Sequence, residues 1–323
     1  MNASVPFRLR IINSNDADGV YQLTKEAKSG LSNLPKTKKS THELIEKANS
    51  SFKQTDDVNN RFIFVLEDQN HQIVGLSGIK QRTGVSRPYY SYVLHKNATY
   101  PFLEFVQERL GPSELGSLFL APHARGIGIG RLLSLGRFLF IHGAKKQFTS
   151  SIIAEMRGFL FNNNVSPIWN VLGKKFINKT FHQADQKSVS DPTFIEKYFP
   201  KHPIYLNLLP IESHQYLNQV HPNTLPAKKL LEKEGFKTTN QVDIFDGGPK
   251  LSCLTEQIRT VKNAKQIMIK DLEKDRSDTL LISTASNQNF RAIKAEPTTT
   301  INEIQLALDI QSRDKVLTVK ESS

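Results

Sequence analysis

The spacing of apolar and polar residues predicts a mixed α+β protein. Apolar residues at helical spacing predict helices over 16–27 and 43–52, and in the stretch after residue 130, where Leu132, Leu135 and Leu139 recur on one face. The runs at 61–67 and 73–80 enclose a turn at 68–71 and predict a hairpin, whereas 29–35 is a turn-rich connection. Further β-favouring runs predict strands over 7–12, 89–94, 115–120, 151–157 and 241–245.

The second half of the chain differs in character. Between 159 and 215 the pattern becomes irregular and helical, with Trp169 and several phenylalanines, which predicts an insertion that covers a site. Beyond Arg259 a charged stretch is compatible with either helix or linker, and β-favouring pieces follow at 279–283 and 315–319. We therefore expect a first domain of residues 1–258. Residues 259–323 would form a linker and a small β-rich C-terminal appendage.

A glycine-rich turn, Arg125-Gly126-Ile127-Gly128-Ile129-Gly130, joins the predicted strand at 115–120 to the next helix. Its backbone amides and the positive end of that helix point at one place, where a pyrophosphate would bind. Walker A loops need a Gly-Lys-Ser/Thr ending that is missing, and the dinucleotide fingerprint needs glycine where Arg131 stands. The pattern is similar to the R/Q-x-x-G-x-G/A loop with which GNAT acyltransferases bind coenzyme A. The alternative interpretation is a glycine-rich connection without a ligand.

A second motif lies about a hundred residues further on. Residues 226–236, PAKKLLEKEGF, combine an apolar stripe with Pro226 at a helix start and Gly235 just past its end. The motif resembles the last helix of the GNAT core, in which a tyrosine often protonates the departing thiolate. Thr224 takes the place of the usual asparagine and Leu231 that of the tyrosine. The usual acid is therefore absent from this position.

Composition narrows the class of protein. The 323 residues are 38% hydrophobic, with one cysteine, Cys253, so a disulfide framework is excluded. There is no N-terminal apolar segment and no run long enough to cross a membrane, which predicts a cytoplasmic protein without a membrane partner. The net charge of +12 raises nucleic acid as a partner, but the basic residues are dispersed among acids. The nine histidines show no ligand-like spacing, so no metal is expected.

Several short stretches resemble the arginine N-succinyltransferase family, in order, from the N-terminus to about Arg259. They are SGLSNLP at 29–35, FVLED at 64–68, SLFL at 117–120, AEMRG at 154–158, PKHPIY at 200–205, QVHP at 219–222, LEKEGF at 231–236 and DIFDGGP at 243–249. The resemblance implies a GNAT-like core that transfers succinyl from succinyl-CoA, as a co-substrate, to the α-amine of L-arginine. It also implies that His221 is the proton donor and that Leu118 contributes to succinyl-CoA binding. No permanently bound cofactor is implied.

The chemistry of the reaction agrees with these assignments. Attack of an amine on a thioester creates an oxyanion, which a strand amide near Leu118 would stabilise, and expels a thiolate. A histidine at position 221 titrates close enough to neutral pH to exchange protons with these groups. Without the resemblance, His221 beside Pro222 would be interpreted as a turn residue. The expected coenzyme contacts are Leu118, Arg125, Gly126, Ile127, Gly128, Ile129 and Gly130.

An arginine acceptor needs a carboxylate for its guanidinium and cations for the substrate carboxylates. Glu155 and Arg157 are two apart on a predicted strand, so we expect both in the acceptor pocket, with Asp243 or Asp246 at the guanidinium. The alternative for the first pair is an ordinary ion pair on one strand face. His202 is a weaker candidate for a polar contact.

Three functions are compatible with the sequence. The first is arginine N-succinyltransferase, the first step of arginine catabolism by succinylation. The second is a GNAT enzyme that uses ornithine or another amine, or acetyl-CoA as the donor. The third is a non-catalytic basic binding module, against which the intact glycine loop and the mixed charges argue. Related enzymes occur with paralogous subunits, which makes a homo- or hetero-oligomer an expectation.

Overall fold

The computed structural model describes residues 5–27, 34–54, 57–162, 164–272 and 276–321, so most of the predicted connection at 29–35 lies outside the described residues. The strands are β1 Phe7–Ile11, β2 Arg61–Asp68, β3 Ile73–Lys80, β4 Tyr89–His95, β5 Phe102–Glu108, β6 Ser113–Leu120, β7 Ser151–Glu155, β8 Ile204–Tyr205, β9 Lys237–Val242, β10 Pro249–Leu254, β11 Lys265–Met268, β12 Leu280–Thr284, β13 Arg291–Ala295 and β14 Lys315–Lys320. The helices are α1 Ala17–Glu26, α2 Lys38–Lys53, α3 Ile129–Gly143, α4 Lys174–Phe176, α5 Phe181–Ser190, α6 Phe194–Tyr198, α7 Leu225–Lys233, α8 Arg259–Asn263 and α9 Ile301–Leu308. None of these helices is both long and apolar enough to cross a membrane.

The described strands form one sheet in the order β11-β14-β12-β13-β1-β2-β3-β6-β7-β10-β9-β4-β5-β8. Neighbouring strands run antiparallel except β6 and β7, which are parallel. The predicted hairpin of β2 and β3 is confirmed, with Phe64 opposite Ser77. The sheet is therefore mixed and largely antiparallel, as the sequence predicts.

The parallel pair β6–β7 is short and opens at one end. The two strands are in register from Ser113 opposite Ile152 to Leu115 opposite Ala154. Beyond that point β6 continues to Leu120 alongside β3, while β7 ends at Glu155. The sheet is thus split between β6 and β7 on the side where β6 leads into the glycine-rich turn.

Helix α3 fills the centre of the core. Its apolar residues are all buried and pack against strands β1, β3 and β12–β14 of the sheet. Gly136 is needed at the contact with β1, because a Cβ there would lie 2.3 Å from Leu9 Cδ2. The fully buried Arg137 donates to Ser134 and to the Gly78 carbonyl, and burial lowers the pKa of its guanidinium to about 9. The middle of the helix is thus buried, and only its two ends reach the surface.

The C-terminal strands continue the main sheet. Strand β13 pairs with β1, with Leu9 opposite Ala292, and β12, β14 and β11 follow outward. Their outer side carries a separate apolar cluster that includes Ile282, Ile304 and Leu308. The β character predicted at 279–283 and 315–319 is confirmed by β12 and β14. The division of the chain after residue 258 stays a prediction.

The predicted insertion is confirmed as irregular and helical, with α4–α6 and short turns between residues 169 and 216. Its core includes Trp169, whose indole stacks on Phe245 and donates to the Lys179 carbonyl at 2.9 Å. This cluster also covers β4 and β5, so the insertion lies over the far half of the sheet. It is packed against the segment that follows β9.

Some predicted elements are misplaced. The strand predicted over 151–157 ends at Glu155, and Arg157 lies beyond it. The strand predicted over 241–245 lies at Lys237–Val242 instead, because Asp243 accepts the amides of Phe245 and Asp246 and so forms a turn. The charged stretch after Arg259 forms α8 and β11, neither a long helix nor a linker.

Candidate active site

The glycine-rich turn has the open backbone that a bound phosphate requires. Gly126 and Gly128 have φ of 86° and 83°, the left-handed region that glycine adopts without steric cost. Added Cβ atoms would meet nothing within 4 Å at Gly126, and only the Lys294 ammonium, at 3.9 Å, at Gly128. Packing therefore does not explain these glycines. The backbone turn and the free space above it do.

Gly128 is also the residue from which α3 starts. The first amides of a helix have no partner within the helix and carry its positive end. Gly130 lies in this first turn, and a Cβ there would approach only Leu120, at 3.9 Å. Ile129 is 6% exposed and belongs to the core, so only its backbone remains available to a coenzyme. Ile127, in contrast, is 59% exposed.

Arg125 lies on the same exposed turn. Its Nε donates to the Leu120 carbonyl at 3.0 Å, and its guanidinium lies 5.7 Å from the centre of the Phe119 ring. The side chain is thereby held between the end of β6 and the start of α3. A fixed guanidinium at this point adds positive charge beside the glycine amides.

A β-bulge in β6 lies at the mouth of the split. Between the pairs Leu76–Phe119 and Gly78–Gly116, β6 contains one residue more than β3. Ser117 in this bulge has a φ of 54°, and its hydroxyl accepts from Arg61 at 2.9 Å. The half-buried Leu118 follows directly. The bulge therefore lies in the part of β6 that no longer pairs with β7. Backbone strain at residues other than glycine is found preferentially at functional positions.

Glu155 ends β7 on the opposite side of the split. Glu155 is exposed at the end of β7, and its carboxylate accepts a hydrogen bond from the hydroxyl of the half-buried Tyr89. Burial on the protein side, together with the negative charges of Glu114 and Asp243, raises the pKa of Glu155 to about 8. The carboxyl group therefore changes charge near neutral pH.

Lys250 lies beside Glu155, since the two residues are paired between β10 and β7. It is 2% exposed, its ammonium lies 4.2 Å from the centre of the Tyr89 ring, and it donates to Gln241. Burial lowers the pKa of this ammonium, against the pull of the carboxylates around it. Glu114, also buried, is bound by Lys80 at 2.6 Å. Glu155, Lys250 and Glu114, which we call the cleft floor, thus include ionisable groups of both signs.

His221 is fixed near the end of β7 by its backbone. Its amide donates to the Arg157 carbonyl at 2.8 Å, next to the bridge between Gly158 and Val220. The ring Nδ1 accepts the Asn223 amide at 3.1 Å, so in the neutral ring the proton lies on Nε2. Partial burial and the charge of Arg157 lower the pKa of His221, which keeps the ring neutral at pH 7. His221 is therefore a donor from Nε2.

The other predicted acceptor residues differ in their surroundings. Asp243 is half-buried and close enough to Glu155 to raise its pKa, although one of its oxygens accepts two turn amides. Asp246 is 5% exposed and accepts the amides of Gly248 and Gly158. Burial raises the pKa of Asp246 to about 7, with Asp243 adding to the shift. Asp246 thus links the turn after β9 to the segment after β7 by hydrogen bonds.

The expectation that Glu155 and Arg157 share a strand face is wrong, because β7 ends between them. Glu155 binds Tyr89, whereas the Arg157 guanidinium lies 5.3 Å from the centre of the Phe181 ring in the insertion. His202 is exposed and precedes β8 at the edge of the sheet. Leu231, which stands in place of the usual acid, is 5% exposed in the main core.

Sequence reasoning missed Tyr89, Lys250 and Glu114. Each lies on a strand that is far from β7 in the sequence, so nothing local connects them to Glu155. The signal available was a charged residue inside an apolar strand, as Glu114 is in SELGSLFL. Among the described residues, no three His, Cys, Asp or Glu side chains are placed to hold a metal ion.

Comparisons with known proteins agree with this geometry. Residues 7–260 match the family described as arginine N-succinyltransferase beta subunit. The chain is 32% identical over 302 residues to the arginine N-succinyltransferase of Escherichia coli O139:H28, covering 89% of this chain and 88% of that one. The same values hold for the arginine N-succinyltransferase of Shigella flexneri.

Among solved structures, the fold matches the arginine/ornithine succinyltransferase subunit AI from Pseudomonas aeruginosa. The TM-score is 0.87 at 25% sequence identity, over 99% of this chain and 100% of that one. The likeness includes the C-terminal strands, which lie beyond the residues that the family model matches. The predicted mixed, largely antiparallel sheet flanked by helices is confirmed.

Proposed function

The chain belongs to the arginine N-succinyltransferase family, and we propose that it transfers the succinyl group of succinyl-CoA to the α-amine of L-arginine. It is an acyl-CoA-dependent acyltransferase. The observation that carries the proposal is the split between β6 and β7, which has an open glycine turn at one end and the His221 and Glu155 groups at the other. A carrier bound at the turn would present its thioester between those groups.

The donor would bind through its pyrophosphate at the N-terminus of α3. The amides of Gly126, Gly128 and Gly130 and the fixed Arg125 supply hydrogen bonds and charge for the pyrophosphate. The exposed Ile127 would contact the coenzyme from the same turn, and Ile129 would act through its amide. The carrier then extends along the split towards Leu118. No cofactor needs to be held permanently.

Acyl transfer then proceeds at the bulge. The neutral α-amine attacks the thioester carbon, a C–N bond forms, and the carbonyl oxygen becomes an oxyanion that the backbone amide at Leu118 would stabilise. As the C–S bond breaks, the Nε2–H of the neutral His221 donates a hydrogen bond that stabilises the leaving thiolate, which then takes its proton from water. The new amide nitrogen loses one proton to water. The products are coenzyme A thiol and succinylarginine.

The acceptor pocket is formed by the cleft floor and the turn after β9. We assign the guanidinium to Glu155 and Asp243, whose carboxyl groups lie close together; a bound cation would favour the charged form of Glu155. Arg157 is assigned to the carboxylates of arginine or the succinyl group, because it carries its charge close to His221. Asp246 would support Arg157 and the turn, since its hydrogen bonds go to backbone amides.

A donor–acceptor matrix tests the proposal. The purified protein is mixed with succinyl-CoA or acetyl-CoA and with arginine, ornithine, lysine or spermidine, and free thiol is measured over time. We expect thiol release with succinyl-CoA that depends on arginine. Turnover only with acetyl-CoA, or only with a polyamine, would contradict the proposal. Salt-dependent binding of nucleic acid without any turnover would instead favour the basic binding module.

Ornithine is the second acceptor candidate. The solved Pseudomonas aeruginosa relative is described as an arginine/ornithine succinyltransferase, and its chain as a subunit. An ornithine ammonium is a cation that the same carboxylates would bind, but it lacks the planar fork of a guanidinium. We propose that arginine is preferred, that the chain acts in the cytoplasm, where acyl-CoA is made, and that it assembles as a homo- or hetero-oligomer. Light scattering of the purified protein measures the assembly.

A further inference from the structure

A strand of the C-terminal segment reaches the coenzyme loop. Lys294 on β13 places its ammonium 3.9 Å from the point where a Cβ on Gly128 would stand. Strand β13 is held there by β1, with Arg8 opposite Ile293. The lysine therefore lies beside the positive end of α3, where a second positive charge is unfavourable unless an anion is present.

Carboxylates from the chain supply part of that negative charge. Lys294 is 3.0 Å from Glu296 and 3.4 Å from Glu321, and Arg131 of α3 lies 3.7 Å from Glu321. The Glu321 side chain is 6% exposed, whereas that of Glu296 is 51% exposed. Partial burial of Lys294 acts against its charge, but these two acids raise its pKa, so the ammonium stays charged. Glu296 also accepts a hydrogen bond from the Thr279 hydroxyl at 2.7 Å, so Lys294 is not its only partner.

A shallow groove continues from the same place. It is lined by Phe7, His123 and Ile127 among others, so it borders the glycine turn. The β1–β13 register puts Phe7 across from Lys294, and residues opposite each other in antiparallel strands share a face of the sheet. A nucleotide whose phosphates lie at the turn would find an apolar wall and a cation next to each other.

We propose that Lys294 binds a phosphate group of the acyl-CoA donor, and that Glu321 opposes this binding by its negative charge. The inference rests on the proposed function, because it assumes an acyl-CoA at the glycine turn. It assigns a role to the C-terminal segment, in which one cation and one acid set the affinity for the donor. The phosphate is either the pyrophosphate or the 3′-phosphate of coenzyme A.

Two single variants separate binding from structure. K294M should raise KM for succinyl-CoA roughly tenfold or more, the effect of losing one charge-assisted contact, with KM for arginine unchanged. E321Q should lower KM for succinyl-CoA, because it removes a repelling charge. K294R should restore most of the affinity. K315M, on the exposed start of β14, is the control that removes a charge elsewhere in the segment.

Calorimetry with coenzyme A and with dephospho-coenzyme A identifies the phosphate. A K294M defect that disappears without the 3′-phosphate assigns that group, and a defect that persists assigns the pyrophosphate; both support the proposal. Equal binding by wild type and K294M overturns it, as does a loss of affinity in both K294M and E321Q, which a structural ion pair would produce. The double variant K294M/E321Q removes both partners of the Lys294–Glu321 ion pair together, so its melting temperature shows whether either single change disturbs the fold. A wild-type protein that binds no acyl-CoA overturns the proposed function as well.

Discussion

At the scale of the residue, His221 shows how one hydrogen bond decides a protonation state. The Asn223 amide donates to Nδ1, so the proton of the neutral ring is on Nε2. A doubly protonated ring would lose that bond, which adds to the partial burial and the Arg157 charge that lower its pKa. The neutral ring can therefore donate a hydrogen bond from Nε2 to a leaving thiolate at physiological pH.

Replacing His221 should therefore slow the chemical step. We expect H221A to lower kcat by about 10²- to 10³-fold, the usual cost of removing one hydrogen-bond donor to a developing negative charge, with little change in either KM. Steady-state thiol release measures this. H42A is the matched control, because His42 is exposed on α2 and should leave kcat unchanged. A fast H221A enzyme would remove His221 from the mechanism.

Glu155 predicts a pH dependence of acceptor binding. Its pKa is raised to about 8, so the carboxyl is largely protonated below that pH and gains its charge as the pH rises. A guanidinium binds the charged form, so affinity should increase as the pH rises from 7 to 9. The inhibition constant of 4-guanidinobutanoate, which lacks an α-amine, should therefore fall over this range. In E155Q the inhibitor should bind more weakly, and its inhibition constant should not depend on pH.

The matched control for Glu155 is E232Q, on the exposed side of α7. It should keep the pH dependence of the wild-type protein. An inhibition constant that is independent of pH in the wild type would place the guanidinium elsewhere in the cleft.

At the scale of the element, the glycines of the turn meet two different requirements, a backbone conformation with positive φ and space for a ligand. Gly126 and Gly128 need positive φ, but Gly130 lies in the helix and is surrounded by open space. G130A should therefore raise the free energy of unfolding, by up to about 1 kcal/mol, since alanine favours helix. It should also raise KM for succinyl-CoA, because the added methyl group blocks close approach of a phosphate.

Thermal melting and steady-state kinetics measure the two effects of G130A. The control is S50A in the exposed part of α2, which should change stability slightly and leave kinetics alone. An unchanged KM for succinyl-CoA in G130A would mean that no phosphate comes near this turn of the helix.

Elements that depend on local pattern could be predicted, and those that depend on distant partners could not. The β2–β3 hairpin and the loop before α3 follow from residues close in sequence. Strand β9 was placed too late, because the turn made by the Asp243 side chain overrides the apolar run at 241–245. The site divides in the same way. Gly128 and His221 are found from motifs, but the partner of Glu155 is Tyr89, 66 positions away.

At the scale of the whole molecule, the C-terminal segment is attached through several contacts. Strand β13 pairs along β1, and α3 packs against β12, β13 and β14. The His142 ring bonds the Val261 carbonyl at 2.8 Å, and the Thr260 amide donates to the buried Glu234 at 2.8 Å. The sequence marks a change of composition near Arg259, but composition does not reveal that the strands beyond it extend the same sheet.

This attachment makes a prediction about the division after residue 258. A chain cut there would expose the edge of β1, one side of α3 and the buried Glu234, so we expect it to be insoluble or to melt far below the full chain. Circular dichroism and size-exclusion chromatography of both chains make the comparison. A fragment of residues 1–258 that melts cooperatively near the temperature of the full chain would establish two independent domains. Loss of the fold would instead mean that the core needs its C-terminal strands, and that coenzyme binding and stability depend on the same segment.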